Sequence, residues 1–330
     1  MLEHGGRLRL ATLQYGIALA DWLDLSTGVA PYGLALPDIP ASAWQRLPET
    51  EDGLESAARD YYGCRSLLPV AGSQAAIQAL PRLRRKSIVG MMPLAYAEHA
   101  AAWRRYGHKL LTFSEASINR ALERLDVLVL VNPNNPTGRF IEPEQLLQWH
   151  SRLAERGGWL VVDEAFIDCT PQQSLARYSH LPGLVVLRSF GKFFGMAGAR
   201  LGFVLAQQRL LHDLAEMLGP WPVSGPTRVI ATAMLNDVEG QSVQRQQLLN
   251  DTQRLAQVLA THGLPALGGC SLFQWVATER APQLHEYLAN KGILLRHFER
   301  PQSLRFGLPA DEVGWQRLNA ALQGFNECLE

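Results

Sequence analysis

The chain has 330 residues, 47% hydrophobic and 19% charged, the proportions of a globular protein with room for one large domain and a smaller one. Lysine plus arginine and aspartate plus glutamate number 31 each, so no net field draws the chain to nucleic acid or to an acidic membrane. The longest aliphatic runs are strand-sized, the opening MLEHGGRLRL lacks the apolar core of a signal peptide, and Cys64, Cys169, Cys270 and Cys328 show no metal-ligand spacing. These features predict a cytoplasmic protein with reduced thiols, no membrane span, no nucleic-acid partner and no metal.

The first 40 or so residues contain no strong core element and are expected to pack with the C-terminal part of the chain. From about Leu67 to Leu205 short apolar runs alternate with helical stretches. The runs are SIVGMMP, DVLVLVNP, GWLVVDEA, GLVVLRSF and LGFVLA. The first four are continuous rather than alternating, which suits strands buried on both faces of a largely parallel sheet. Between them EPEQLLQWHSRLAERGG reads as a helix, with Glu142-Pro143 at its start and a glycine pair at its end. A long helix is predicted over about Glu239 to His262, ending at Gly263. Three strands, FQWVA, GILLRHF and SLRFGL, then interleave with helices starting near Gln283 and Asp311. The expected organisation is an N-terminal segment over 1–40, a large α/β domain over 41–235 and a small α+β domain over 236–330.

Four stretches of the large domain carry chemistry, each near a strand's carboxyl end, where ligands gather in an open α/β sheet. AGSQAAIQAL places Gly72, Ser73 and Gln74 at a helix start, with backbone N–H groups facing outward. VNPNNPTGRF follows a strand with an Asn/Pro/Gly-rich turn that contains Asn135. VVDEAF ends a strand with Asp163 and Glu164. SFGKFFGMAGARLG brings together Ser189, Lys192 and Arg200, and Lys192 is one of only four lysines against 27 arginines. Taken singly these are weak signals, since Asn-Pro-Thr-Gly is ordinary turn chemistry and a strand-end acid is often a cap. Together they supply what a phosphorylated pyridine aldehyde needs. The set offers an amine for an imine, a carboxylate for the ring nitrogen, and donors for the phenolic oxygen and the phosphate. Arginine cannot replace lysine in that role, because only a primary amine forms the imine.

In these motifs, over nearly its whole length, the chain resembles the fold-type I pyridoxal-phosphate enzymes of the class I and II aminotransferase superfamily. The resemblance implies a mostly parallel central sheet sandwiched by helices, with a smaller α+β domain, and pyridoxal 5'-phosphate as cofactor. It implies that Lys192 forms the imine with the aldehyde and that Asp163 pairs with the protonated ring nitrogen. It gives Asn135 the ring oxygen O3′, and Gly72, Ser73, Ser189 and Arg200 the phosphate, with Gln74 as a further backbone donor. Tyr96, in PLAYAEH, is implied as the aromatic plate on the ring. A homodimer is implied as well.

Within the superfamily, HGG (His4, Gly5, Gly6) and DWLDLSTGVAPYG (Asp21 to Gly33) resemble segments of the L-threonine-O-3-phosphate decarboxylases of cobalamin synthesis. The resemblance implies a phosphorylated amino acid substrate. Its phosphate falls to His4 and the nearby backbone, its carboxylate to Arg305 and a second anion to Arg296, with Asn135 also in reach. Gly28 and Ala30 stand where those relatives carry asparagines, Leu47 where they have a tyrosine, and Phe166 where many aminotransferases have a tyrosine that donates to O3′. From the residues alone, decarboxylation and transamination of histidinol phosphate or a similar compound both stay open. The bond broken is the one that stands perpendicular to the ring, and a rotation about one bond separates the two outcomes.

Overall fold

The computed structural model describes residues 2–328. A helix, Leu8–Tyr15, opens the chain and is followed by a two-residue strand, β1 (Leu23–Asp24). Seven strands come next: β2 (Leu67–Val70), β3 (Ile88–Met91), β4 (Lys109–Thr112), β5 (Val127–Val131), β6 (Trp159–Asp163), β7 (Leu184–Ser189) and β8 (Gly202–Leu205). The last five are β9 (Gly268–Cys270), β10 (Phe273–Ala277), β11 (Ile293–Leu294), β12 (Arg296–Glu299) and β13 (Gln302–Gly307). Internal contacts divide the chain into two units. The larger runs over Gly33–Asn135 and Arg139–Arg245, and the smaller holds the residues up to Tyr32, Pro136–Gly138 and those from Gln246 on.

In the larger unit the seven strands form one sheet in the order β2-β8-β7-β6-β5-β3-β4. Only β8 runs antiparallel to its neighbours, so the sheet is mostly parallel, as the apolar runs predict. All five residues of β5 are buried, because parallel strands joined through helices are covered on both faces. Val161, Val185 and Leu187 point to one face, where Ala76 and Ile77 of helix Ser73–Ala79, Trp103 of helix Ala97–Arg105 and Leu211 and Leu214 of helix Gln208–Leu218 pack on them. Strand alternation carries Asp163 and Ser189 to that same face and Arg188 to the opposite one.

The smaller unit contains an antiparallel sheet in the order β12-β13-β10-β9 and a parallel pair of β1 with β11. Two details differ from expectation. The opening segment does form a helix, which the pattern conceals because Ala11 is its only buried residue. The run GILLRHF divides into two strands, since Ile293 and Leu294 pair with β1 while Arg296 to Glu299 pair with β13. The long helix spans Val238–Thr261, and the last two helices are Ala281–Asn290 and Glu312–Glu327.

Within the larger unit a half-buried ion cluster ties the helix Gly225–Asn236 to the helix Leu54–Tyr62 and the turn before it. Arg228, 6% exposed, donates from Nε and Nη2 to Asp52 at 2.6 Å each and from Nη2 to Glu55 at 2.7 Å. Partial burial alone would raise the Asp52 pKa, but the hydrogen bonds from Arg228 and the Leu54 N–H outweigh it and hold the carboxyl below its ordinary range. Its stabilising contribution is therefore present above the unfolded-state value of about 3.9 and is lost as pH falls through the lower folded value. Arg228→Met should cost about 2–3 kcal/mol at neutral pH, because it strands two carboxylates. Thermal melts of both proteins should show that gap at pH 7 and a narrower one at pH 3.

Candidate active site

Three strand ends lie side by side in the larger unit, with Gly202 opposite both Val70 and Ser189. This register gathers Gly72 and Ser73, which follow β2, with Ser189, which ends β7. Gly72 caps the helix Ser73–Ala79 with φ 74°, a conformation open to glycine and costly for other residues. A Cβ on Gly72 would lie 2.8 Å from Arg200 Nη2, so the missing side chain is what admits the guanidinium. Arg200 itself has φ 53°, a sparsely populated conformation for a residue with a side chain, and its Nη1 donates to the Ala197 carbonyl at 3.1 Å. The four phosphate candidates, Gly72, Ser73, Ser189 and Arg200, are thus brought together. Gln74 is beside them, but its side chain is engaged elsewhere: Nε2 donates to Glu98 at 2.9 Å and Oε1 accepts from the Tyr96 hydroxyl at 3.3 Å.

Lys192 lies in the single helical turn Phe190–Phe193 that leaves β7 directly after Ser189. Its Nζ is 5.6 Å from the centroid of the Phe166 ring, so the amine faces an aromatic surface with no hydroxyl. Asp163, 3% exposed, ends β6. One carboxylate oxygen accepts from the Ala165 N–H at 3.1 Å, and the other is 2.9 Å from His99 Nε2. An ionised carboxylate only accepts, so with Asp163 charged the His99 Nε2 carries the proton. Asn132 and Asn134 are structural. Asn132 bonds both ways with the Ile141 backbone, and Asn134 donates to the Leu94 carbonyl, which frames the turn that presents Asn135.

His99 is the residue that sequence reasoning omits. It lies three positions after Tyr96 on the helix Ala97–Arg105, and the two rings meet edge to face at 6.1 Å. The signal in the sequence is a histidine one helical turn beyond the candidate plate.

The smaller unit carries the other candidates. Gly6 N–H donates to Ser26 Oγ at 2.7 Å, and Gly5 packs so tightly on the Ser26 carbonyl that any side chain would collide with it. Ser26 Oγ donates to Asp24 at 2.5 Å, and the Ser26 carbonyl accepts from Arg305 Nη2 at 2.7 Å. Ser26, the serine of the DWLDLSTGVAPYG stretch, is therefore the hub that joins that stretch to HGG and to Arg305. Arg296 and Arg305 are direct partners across β12 and β13, and Arg305 is only 6% exposed. Two cations facing each other across strands repel, so the pair fits a site for anions. Arg296 is held by the residue before His4: Nη1 donates to the Glu3 carboxylate at 2.9 Å and Nη2 to the Glu3 carbonyl at 3.1 Å. The hydrogen bond from Arg296 holds the Glu3 carboxyl below its ordinary range.

Gly72→Ala should weaken pyridoxal phosphate binding at least about tenfold, since the methyl displaces Arg200 and strains the backbone. His99→Leu, which leaves Asp163 with one backbone donor, should weaken it by about 10- to 100-fold, the range for a hydrogen bond to a charged group. Titration of each apoprotein with the cofactor measures both effects.

The family model "Aminotransferase class I and II" matches residues 21–321. The chain is 61% identical over 327 residues to a threonine-phosphate decarboxylase of Pseudomonas aeruginosa, covering 99% of each. It is 43% identical over 332 residues to a threonine-phosphate decarboxylase of Sinorhizobium sp, covering 97% of each. Among solved structures, the histidinol-phosphate aminotransferase of Sinorhizobium meliloti in complex with pyridoxal-5'-phosphate matches 100% of this chain and 96% of its own, with a TM-score of 0.86 at 21% identity, a likeness of fold. The chain belongs to the class I and II aminotransferase family.

Proposed function

We propose that the protein is a pyridoxal-phosphate-dependent carboxy-lyase that converts L-threonine O-3-phosphate to (R)-1-amino-2-propanol O-2-phosphate and CO2, for cobalamin synthesis in the cytoplasm. The observation that carries the reading is the pair of facing arginines, Arg296 and Arg305, in a chain 61% identical to a threonine-phosphate decarboxylase over nearly its full length. The proposed substrate has two anionic groups, a carboxylate and a phosphate, and two guanidiniums answer them.

Pyridoxal 5'-phosphate is the cofactor of this family. The residues fit it: the cradle at Gly72 that a Cβ would fill, the Arg200 guanidinium against it, and the buried Asp163 carboxylate are what a phosphate and a pyridinium require. When bound, the cofactor supplies an aldehyde carbon for an imine and a protonated ring that takes up an electron pair from a bond at Cα. Lys192 would engage the aldehyde and Asp163 would hold the proton on the ring nitrogen, with His99 fixing the Asp163 carboxylate in place. Ser189, Arg200 and the backbone at Gly72 and Ser73, with Gln74 beside them, would bind the phosphate. Tyr96 would cover the ring, and Asn135 would donate to its phenolic oxygen without help from a phenol at Phe166. Arg305 holds the substrate carboxylate, while Arg296, His4, Gly5 and Gly6 hold its phosphate. Loss of CO2 would leave an electron pair at Cα for the bound ring to take up, and Lys192 Nζ is the group that would deliver the proton that replaces the carboxylate there.

We assign the chain to a homodimer. Trp44, Leu47 and Trp221 of the larger unit are 69%, 63% and 56% exposed, large apolar groups of the kind an interface buries. Trp221 borders a cavity of about 400 Å³ that is also lined by Pro48, Leu68 and Leu218.

Side-by-side assays on threonine phosphate and histidinol phosphate should give CO2 from the first with no keto acid added, and strict keto-acid dependence would refute the reading. Arg305→Met should raise KM for threonine phosphate by about 10- to 100-fold, the loss of a charged hydrogen bond. Light scattering should give twice the 36.6 kDa mass of the chain.

A further inference from the structure

On the far face of the large sheet, behind Asp163 and Ser189, a buried ion cluster has no part in the chemistry described above. Arg188, the last but one residue of β7, has its side chain only 2% exposed. Its Nη2 donates to Asp168 at 2.7 Å, and its Nη1 to Ser174 Oγ at 2.9 Å and to Glu164 at 3.3 Å. The guanidinium carbon lies 4.5 Å from the Tyr62 ring centroid. Glu164, fully buried, follows Asp163 and also accepts from the Leu175 N–H at 2.8 Å and from the Ser174 hydroxyl at 2.5 Å. Burial pushes the Glu164 carboxyl up, with the Arg188 charge opposing it, and Asp168 and Glu164 together hold the Arg188 charge against the cost of burial.

Two features set this cluster apart from a simple staple. A buried ion cluster adds little net stability over well-packed apolar side chains, so stability alone gives no reason for it. Its members flank the cofactor residues in sequence, with Glu164 next to Asp163 and Arg188 next to Ser189. The links then run on to the turn that carries Lys192. Asp168 accepts from the Tyr61 hydroxyl at 3.0 Å, and Tyr61 packs on Phe194 at 5.6 Å between centroids. Arg245 donates from Nε to the Asp168 carbonyl at 2.9 Å and lies over the Phe193 ring at 5.4 Å. One set of fixed distances thus spans the end of β6, the end of β7 and the two phenylalanines after Lys192.

We propose that Arg188, Glu164 and Asp168 form a positioning set that holds Ser189 and Lys192 in register with Asp163, so that one ligand meets all three. The inference rests on the assignment of Asp163, Ser189 and Lys192 to the cofactor. Small displacements of such groups are costly, since about 1 Å of misplacement can reduce activity by about 100-fold.

The test uses a triple variant, Arg188→Met with Glu164→Gln and Asp168→Asn, which removes the charges, leaves none stranded and keeps the amide and hydroxyl partners of both carboxylates. Melting of the apoprotein, titration with pyridoxal phosphate and the pH midpoint of the visible band of the lysine-bound cofactor are measured together. The proposal expects a melting temperature close to wild type, cofactor binding at least about tenfold weaker and a displaced pH midpoint. Wild-type affinity and an unmoved midpoint in a folded triple variant would overturn it. Arg188→Lys keeps the charge but cannot span both carboxylates, and it should bind the cofactor with intermediate affinity. Should the triple variant not fold, wild-type affinity in Arg188→Lys overturns the proposal. Lys192→Ala is the separate control: a visible band that survives in it refutes the cofactor assignment itself, whatever the Arg188 variants do.

Discussion

The structure turns on one buried carboxylate. Asp163 is 3% exposed, and a charge in that position is tolerable only with hydrogen-bond donors on it. It has the Ala165 N–H on one oxygen and the His99 ring on the other. Both partners hold the carboxylate in a fixed orientation at the end of β6, a position suited to a cationic group of a ligand, such as the protonated ring nitrogen of pyridoxal phosphate. The sheet explains how the carboxylate comes to be there. Continuous apolar runs make strands buried on both faces, and polar residues of such strands are displaced to the carboxyl ends, where Asp163, Ser189 and the glycines after β2 meet.

The two units divide the chemistry by charge. The larger one offers an amine, a carboxylate and a phosphate cradle, which are needs of the cofactor. The smaller one offers two guanidiniums, Arg305 on the Ser26 carbonyl and Arg296 on Glu3, which suit the two anionic groups of the proposed substrate. Repulsion across β12 and β13 is a cost in the absence of an anion, and Glu3 offsets part of it on Arg296. Arg305 instead donates to a neutral carbonyl.

Legibility in the sequence follows from how local each signal is. DVLVLVNP, GWLVVDEA and GLVVLRSF identify β5, β6 and β7 because central parallel strands are apolar without interruption. The edge strands β2 (LLPV) and β4 (KLLT) are four residues each, one with a proline and the other half exposed, so no pattern of useful length remains. Lys192, Asp163, Asn135 and the phosphate residues stand out because each stretch is compact and chemically odd. His99 and Ser26 do not, since each matters through partners far away in sequence: His99 lies 64 positions from Asp163, and Ser26 lies 279 from Arg305. Arg188 and Glu164 are hidden in a different way, as charges adjacent to the candidate cofactor residues Ser189 and Asp163 that read as part of the same motif.

The central claim is that Lys192 alone receives the cofactor. Borohydride reduction of the holoprotein, followed by peptide mass spectrometry, fixes the adduct on the amine that held the aldehyde. The account predicts a phosphopyridoxyl adduct on the peptide containing Lys192 and none on those containing Lys86, Lys109 or Lys291. An adduct on any of the other three, with Lys192 unmodified, would contradict it.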